Sequence, residues 1–380
     1  MARAGATPAA IHRQNRETIG LVSSSERAVM PPLFGFGVRV ILLVALVAST
    51  AQAAAFVDDL LRRKMRFSAS DLRSLDAGSA VVKSLETPVR RELAHFGVVY
   101  IQAPPERFIE RFRDIERFES GPGIPQIGRF SVVPQLQDLA SLTLPVEDVE
   151  GLRTCRPGDC DMKLSAAAMS RFRNQVNWSS PNAARDANEV AREMILELVR
   201  TYQANGNDAL GHYDDGGDPL PVAEEFHALL PNGDLLPAPV PALIAYLEDY
   251  PRGRPAGAED FFYWSVVDFG LKPTIRANQV TIYPLSGSPS SNVAYVIAIK
   301  QLYASHYFHS TLELRFLVDD RRPGRRGFYL VSITRSRNDG MTGLTGSLLR
   351  PIVNRRSRNA IRRYLEHVKR QVERIAPAAL

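Results

Sequence analysis

The chain is poor in cysteine, with two among 380 residues. Neither follows the apolar run near the N-terminus, which argues against a lipoprotein anchor. Catalytic signatures are also missing. There is no GxSxG, no phosphate loop and no dinucleotide fingerprint. Glu224-Glu225-Phe226-His227 does not match HExxH. His212 to Asp218 gathers three carboxylates around two glycines. It lacks the alternating spacing and the Glu at the twelfth position that a calcium loop needs, so it reads as a solvated loop. No stretch after residue 53 approaches the roughly 20 apolar residues that span a bilayer. A Ser/His/Asp triad stays open, because the order of its members differs between folds.

What is present begins with an address. Arg39 precedes an apolar run from Val40 to Ala48, which closes on Ala51-Gln52-Ala53. A basic residue, a short apolar core and a small-x-small site are the layout of a secretory signal peptide. The expectation is export to a periplasmic or extracellular compartment, with cleavage near Ala53 or retention as an anchor if uncut. Met30 stands directly before this layout and is the expected start. ATP-driven chemistry and nucleic-acid partners are then disfavoured.

Cys155 and Cys160 flank the turn pair Pro157-Gly158. In an oxidising compartment this spacing predicts a small disulfide loop. A metal half-site would want two more soft ligands, and a redox pair usually has two intervening residues. No cofactor or metal is expected.

Apolar residues at 45% and charged residues at 23% are globular values. The net charge of +6 is modest, and much of it gathers in the last segment. Residues 54–380 read as one domain. Phe56 to Leu75 predicts helix, with Ser68 or Ser70 as a cap. Ser79 to Leu85 and Glu92 to Gln102 predict strands. Glu106 to Phe118 predicts a proline-led helix with a stripe of Phe108, Ile109, Phe112, Ile115 and Phe118. Phe130 to Pro134 reads as extended. Residues 135–250 read as a helical insertion, with helices over Ala183 to Gln203, Pro221 to Leu230 and Val240 to Tyr250. From Asp260 the period becomes two. Five strands are expected at Phe261 to Phe269, Ala277 to Leu285, Asn292 to Leu302, Ser305 to Val318 and Gly327 to Arg337. Short connections between them mean an antiparallel meander. A long C-terminal helix closes the chain, with Pro351 expected to kink or divide it.

The run Val98-Val-Tyr-Ile-Gln-Ala-Pro-Pro-Glu-Arg-Phe-Ile-Glu-Arg-Phe-Arg-Asp114, the meander and the closing helix together resemble the START-like, or SRPBCC, superfamily. The resemblance lies in element order over roughly residues 79–134 and 260–376. It implies an α+β, helix-grip fold in which a curved antiparallel sheet grips a long C-terminal helix, with a cavity between them. Relatives bind lipids, sterols or polyketides, and some are enzymes. The block at 135–250 departs from that pattern.

On Ser305 to Val318, alternation puts His306, Phe308, Ser310, Leu312, Leu314 and Phe316 on one face, read as the core or cavity side. Tyr307, His309, Thr311, Glu313 and Arg315 take the other. His306 and Ser310 are candidates to orient a ligand's polar head. The competing reading of His306 is a core histidine bonded to a carbonyl or to the covering block. Trp264 and Tyr283 suit an apolar pocket, as they suit an ordinary core. Arg335 could pair with a carboxylate at the cavity mouth. The basic C-terminal helix offers Arg355, Arg356, Arg362 and Arg363 for peripheral contact with an anionic membrane, or simply to solvent.

The expected function is an exported binding protein for an apolar or amphipathic, lipid-like small molecule. Two alternatives remain: a hydrolase- or cyclase-like enzyme using the same cavity, and an interaction protein whose cavity is filled.

Overall fold

The computed structural model describes residues 56–374 except 122, 232–235, 269–271, 286–291 and 341–342; in the last helix its side chains are described from residue 350. The expected signal segment and the expected start at Met30 lie outside these residues.

The period-two segments become strands. In chain order they are β1 (Val81–Leu85), β2 (Glu92–Ile101), β3 (Gln126–Arg129), β4 (His212–Tyr213), β5 (Leu220–Pro221), β6 (Glu259–Val267), β7 (Thr274–Pro284), β8 (Val293–Ala304), β9 (Phe308–Asp319) and β10 (Phe328–Asn338). Eight of them form one antiparallel sheet in the order β1-β2-β10-β9-β8-β7-β6-β3. β4 and β5 form a small separate hairpin. The helices are α1 (Ala69–Asp76), α2 (Pro105–Arg113), α3 (Ile115–Glu119), α4 (Val146–Leu152), α5 (Ala166–Gln175), α6 (Ala183–Asn205), α7 (Val222–His227), α8 (Pro241–Asp249) and α9 (Gly343–Glu373). The fold is therefore α+β, with a long C-terminal helix on a large antiparallel sheet and helices inserted before the meander. Among the described residues no helix is long and apolar enough to cross a membrane.

Both faces of the sheet are covered. On one, Val82, Val99, Ile101, Leu317 and Leu330 pack with Leu365, Val368 and Val372 of α9 and with Phe108 and Phe112 of α2. Gly97 of β2 gives α9 its close seat, since a Cβ there would lie 2.6 Å from Leu365 Cδ1. On the other face, Leu312, Leu314, Phe316 and Val331 pack with Leu60, Phe226, Leu243 and Leu247. Further along that face, Trp264, Ala277 and Leu302 meet Val190, Ile195 and Val199 of the insertion.

This layering corrects the reading of β9. Leu312, Leu314 and Phe316 face away from α9, and Glu313, Arg315 and Leu317 face toward it. Alternation separates the two sets but cannot say which helices cover which. His309 also leaves its alternation set. The register shifts between Arg337 and Asn338, where Arg337 pairs with Ser310 and Asn338 with Phe308. That bulge turns His309 toward Glu225 of α7, on the face opposite α9.

Other boundaries differ for local reasons. The expected helix through Phe118 breaks at Asp114, whose φ of −86° and ψ of 69° are not helical and whose side chain caps α3 at Arg117 N. Phe130 to Pro134 is not a strand. Asp138 accepts from Ser131 N, Ser131 Oγ and Gln135 N and ties this stretch into a loop. The true strand, β3, precedes it. Pro351 lies inside α9 without ending it. Phe56 to Leu75 divides into a π-helical turn, Asp59–Lys64, and α1. Ser68 supplies the α1 cap and forms a capping box with Asp71.

Candidate functional site

The disulfide is formed. Cys155 and Cys160 are bonded with Cα atoms 4.5 Å apart. Gly158, at φ +81°, takes the left-handed place in the turn that Pro157-Gly158 predicts. The loop is pinned to the segment before β5, because Gly158 N donates to Asp214 O (2.7 Å) and Cys160 N to Asp215 O (3.0 Å).

That pinning helps build a cleft of about 340 Å³ between α5, α6, residues 209–213 and the end of β8. Its wall is mainly apolar: Leu164, Ala168, Met194, Leu198 and the rings of Tyr213 and Tyr303. The two rings meet edge to face with centroids 6.3 Å apart. Burial raises both phenol pKa values, so both hydroxyls keep their protons. Tyr213 Oη accepts from Ala304 N at 3.3 Å. Among the described residues the buried Tyr303 hydroxyl has no partner.

The charges around the cleft are compensated. Lys163 sits between Asp215 (3.2 Å) and Asp339 (2.6 Å). Arg171 pairs with Glu193 (3.1 Å) and Glu197 (2.7 Å). His212 turns to Asp214 at 3.2 Å. Ser165 Oγ accepts the α5 cap bond from Ala168 N. No serine–histidine hydrogen bond links Ser165 to His212; their partners are Ala168 N and Asp214. Among the described residues no group of three or more His, Cys, Asp and Glu side chains could hold a metal.

The residues singled out from the sequence do not converge on one point. His306 precedes β9 and is buried, with Nε2 on Asp148 (3.0 and 3.1 Å) and Nδ1 on the carbonyl of Asp161 (3.0 Å). It thus ties the insertion to the sheet. Trp264 is fully buried and donates from Nε1 to Asp138 O at 2.8 Å. Leu312 and Tyr283 belong to the apolar layer opposite α9. Phe308 lies 5.9 Å from the Arg276 guanidinium. Ser310 is buried, and its hydroxyl has no partner among the described residues. Arg335 is held by Glu92 (2.7 and 2.9 Å) and by the carbonyls of Leu229 and Leu230 just past α7. Tyr213 and Tyr303 carried no sequence signal. Tyr213 sits on the short strand β4 and Tyr303 near the end of β8, and only the tertiary fold brings them together.

Next to the cleft, His309 bonds Asp339 and Glu225, while Glu225 also takes Arg91 (2.8 Å) and Arg337 (3.3 Å). Burial lowers the His309 pKa, but the bonds to Asp339 and Glu225 outweigh it and the net shift is upward. A histidine with a raised folded-state pKa contributes stability that is complete below the unfolded value and is lost as pH rises through the folded value. Stability should therefore fall over the window in which pH rises from 6.5, the ordinary histidine value, through the raised folded-state value, and His309→Gln should flatten that slope. Urea midpoints across the window check it. An equal slope in the variant would place the titration elsewhere.

No protein-family model, curated protein or solved structure matches the chain.

Proposed function

We propose that the chain is an exported binding protein for an amphipathic, lipid-like small molecule, and that the α5–α6 cleft receives it. The observation that carries this reading is the cleft's apolar wall, which the Tyr213 and Tyr303 rings help to form; the Tyr303 hydroxyl is buried behind that wall and has no partner among the described residues. Small-molecule sites commonly have this make-up: apolar lining, a few convergent polar groups and a volume of roughly 300–1,000 Å³. An unpaired buried hydroxyl costs about 1–3 kcal/mol, and a ligand oxygen accepting from it would remove that cost. Because Lys163, Arg171 and His212 already face carboxylates, the cleft favours a neutral head over an anionic one. Export is supported by the disulfide and by the signal-like segment in the sequence.

Calorimetric titration with monolaurin, a neutral monoacylglycerol, tests this. Wild type should bind. Tyr303→Phe should weaken binding by about threefold to tenfold, the worth of one hydrogen bond, without loss of stability. Ala167→Trp, at an exposed position on the cleft wall, should abolish binding by filling the space. Binding that ignores both substitutions, or no binding by wild type, would sink the proposal.

A further inference from the structure

The helix α9 has two unlike faces. Leu365, Val368 and Val372 are buried against the sheet. Arg355, Arg356, Arg362, Arg363 and Arg370 are exposed, and steps of seven residues, close to two helical turns, from 355 to 362 and from 356 through 363 to 370 keep them on one side of the helix. Ile352, about one turn earlier, is 51% exposed, one of few large apolar side chains so placed. The stripe runs roughly 27 Å at ~1.5 Å per residue.

Two other arginines on the helix show what inward use looks like. Arg350 donates to Arg90 O, Glu92 O and Thr87 Oγ1, and Arg358 donates to Ser84 Oγ at 3.0 Å. The five outer arginines do nothing comparable. Among the described residues none of them lies within 4 Å of a carboxylate, and the ion pair within the helix is Lys369–Glu373. Glu366 is the one other acid on α9, and it is only half-buried. Five uncompensated cations thus stand against one carboxylate.

We infer that this face of α9 docks on an anionic bilayer surface. Cationic charge concentrated on one helical face suits anionic headgroups, and an apolar side chain at its end suits the interface just beneath them. A disulfide-forming compartment offers anionic lipid rather than genomic polyanion. The inference stands apart from the cleft reading, since it uses neither the cleft nor its ligand.

The test is sedimentation of the full chain with vesicles of phosphatidylcholine, and of phosphatidylcholine mixed with phosphatidylglycerol, at low and high salt. Wild type should sediment with the mixed vesicles at low salt only. Each arginine near such a surface is worth about fivefold in affinity. The quadruple variant R355Q/R356Q/R362Q/R363Q should therefore lose on the order of several hundredfold. Ile352→Gln keeps every charge and should still weaken binding by roughly tenfold, through lost apolar burial. All five positions are exposed, so melting temperatures should stay unchanged and show that both variants are folded. Equal binding to neutral vesicles, or a quadruple variant that binds as wild type does, overturns the inference. So does duplex DNA binding as tightly as the mixed vesicles while Ile352→Gln changes nothing, because the face would then be a general polyanion site.

Discussion

Arg315→Ala should cost about 3–5 kcal/mol of folding stability, the penalty for leaving buried charge without its partner. Arg315 is 3% exposed. Its Nε lies 2.7 Å from Glu313 Oε1, and its Nη1 lies 3.3 Å from Glu119 Oε1. Ser332 Oγ donates to Glu313 (2.8 Å), and Tyr364 of α9 donates to Glu119 (2.6 Å). The guanidinium also stacks near the Tyr364 and Phe112 rings, at 4.9 and 5.3 Å. One cation thus links β9, α3 and the C-terminal helix. Without it, two enclosed carboxylates face each other.

Acid should reduce the damage. Burial raises the Glu313 pKa, but Arg315 and the Ser332 bond outweigh this and hold it below its ordinary value of 4.5. A carboxylate with a lowered folded pKa contributes stability that is present above the unfolded value and lost as pH falls through the folded one. Without Arg315, burial is opposed only by the Ser332 bond and the charge of Arg276, and protonation becomes more favourable. The gap between wild type and Arg315→Ala should narrow from about pH 7 to about pH 4. Arg315→Lys should rescue only part, because an ammonium cannot reach both carboxylates as a planar fork does. Denaturant midpoints measure all three; a gap that is constant with pH would contradict the assignment.

Gly206→Ala is the second large effect. Gly206 closes α6 at φ +64°, and a Cβ there would stand 1.7 Å from the carbonyl oxygen of Tyr250. The obstacle is backbone, so it cannot swing aside as a side-chain end would. The next residue, Asn207, accepts from the buried ammonium of Lys300. Burial already holds the Lys300 pKa well below its ordinary value, so displacing Asn207 would remove a partner that group needs. A loss of about 3 kcal/mol or more is expected. Gly216→Ala, where a Cβ meets open space, should stay within about 0.5 kcal/mol. Thermal melts of the two variants decide it, and similar losses would mean that the Gly206 approach is not tight in solution.

The sheet was legible because the meander strands alternate and their turns are short. Thr274–Pro284 and Val293–Ala304 fall within a few residues of the expected bounds. The closing helix was legible from its apolar stripe, whose Leu365, Val368 and Val372 are the side chains buried. The helices α4 and α5 were not, because α4 is only seven residues long and Ala166 to Ala168 sets no periodic stripe. The cover of each sheet face was hidden too. A strand's pattern says that both sides are filled, and only long-range packing decides that α9 takes Arg315's side. The cleft was the least visible feature, since its aromatic wall joins Tyr213 and Tyr303 across 90 residues of chain. No local pattern encodes that meeting.

Native mass spectrometry of the chain expressed with its N-terminal segment and purified without detergent tests the central claim most directly. The account predicts a retained adduct of lipid-like mass on wild type and a bare chain for Ala167→Trp. A bare wild-type chain, or an adduct that survives the filled cleft, would contradict it.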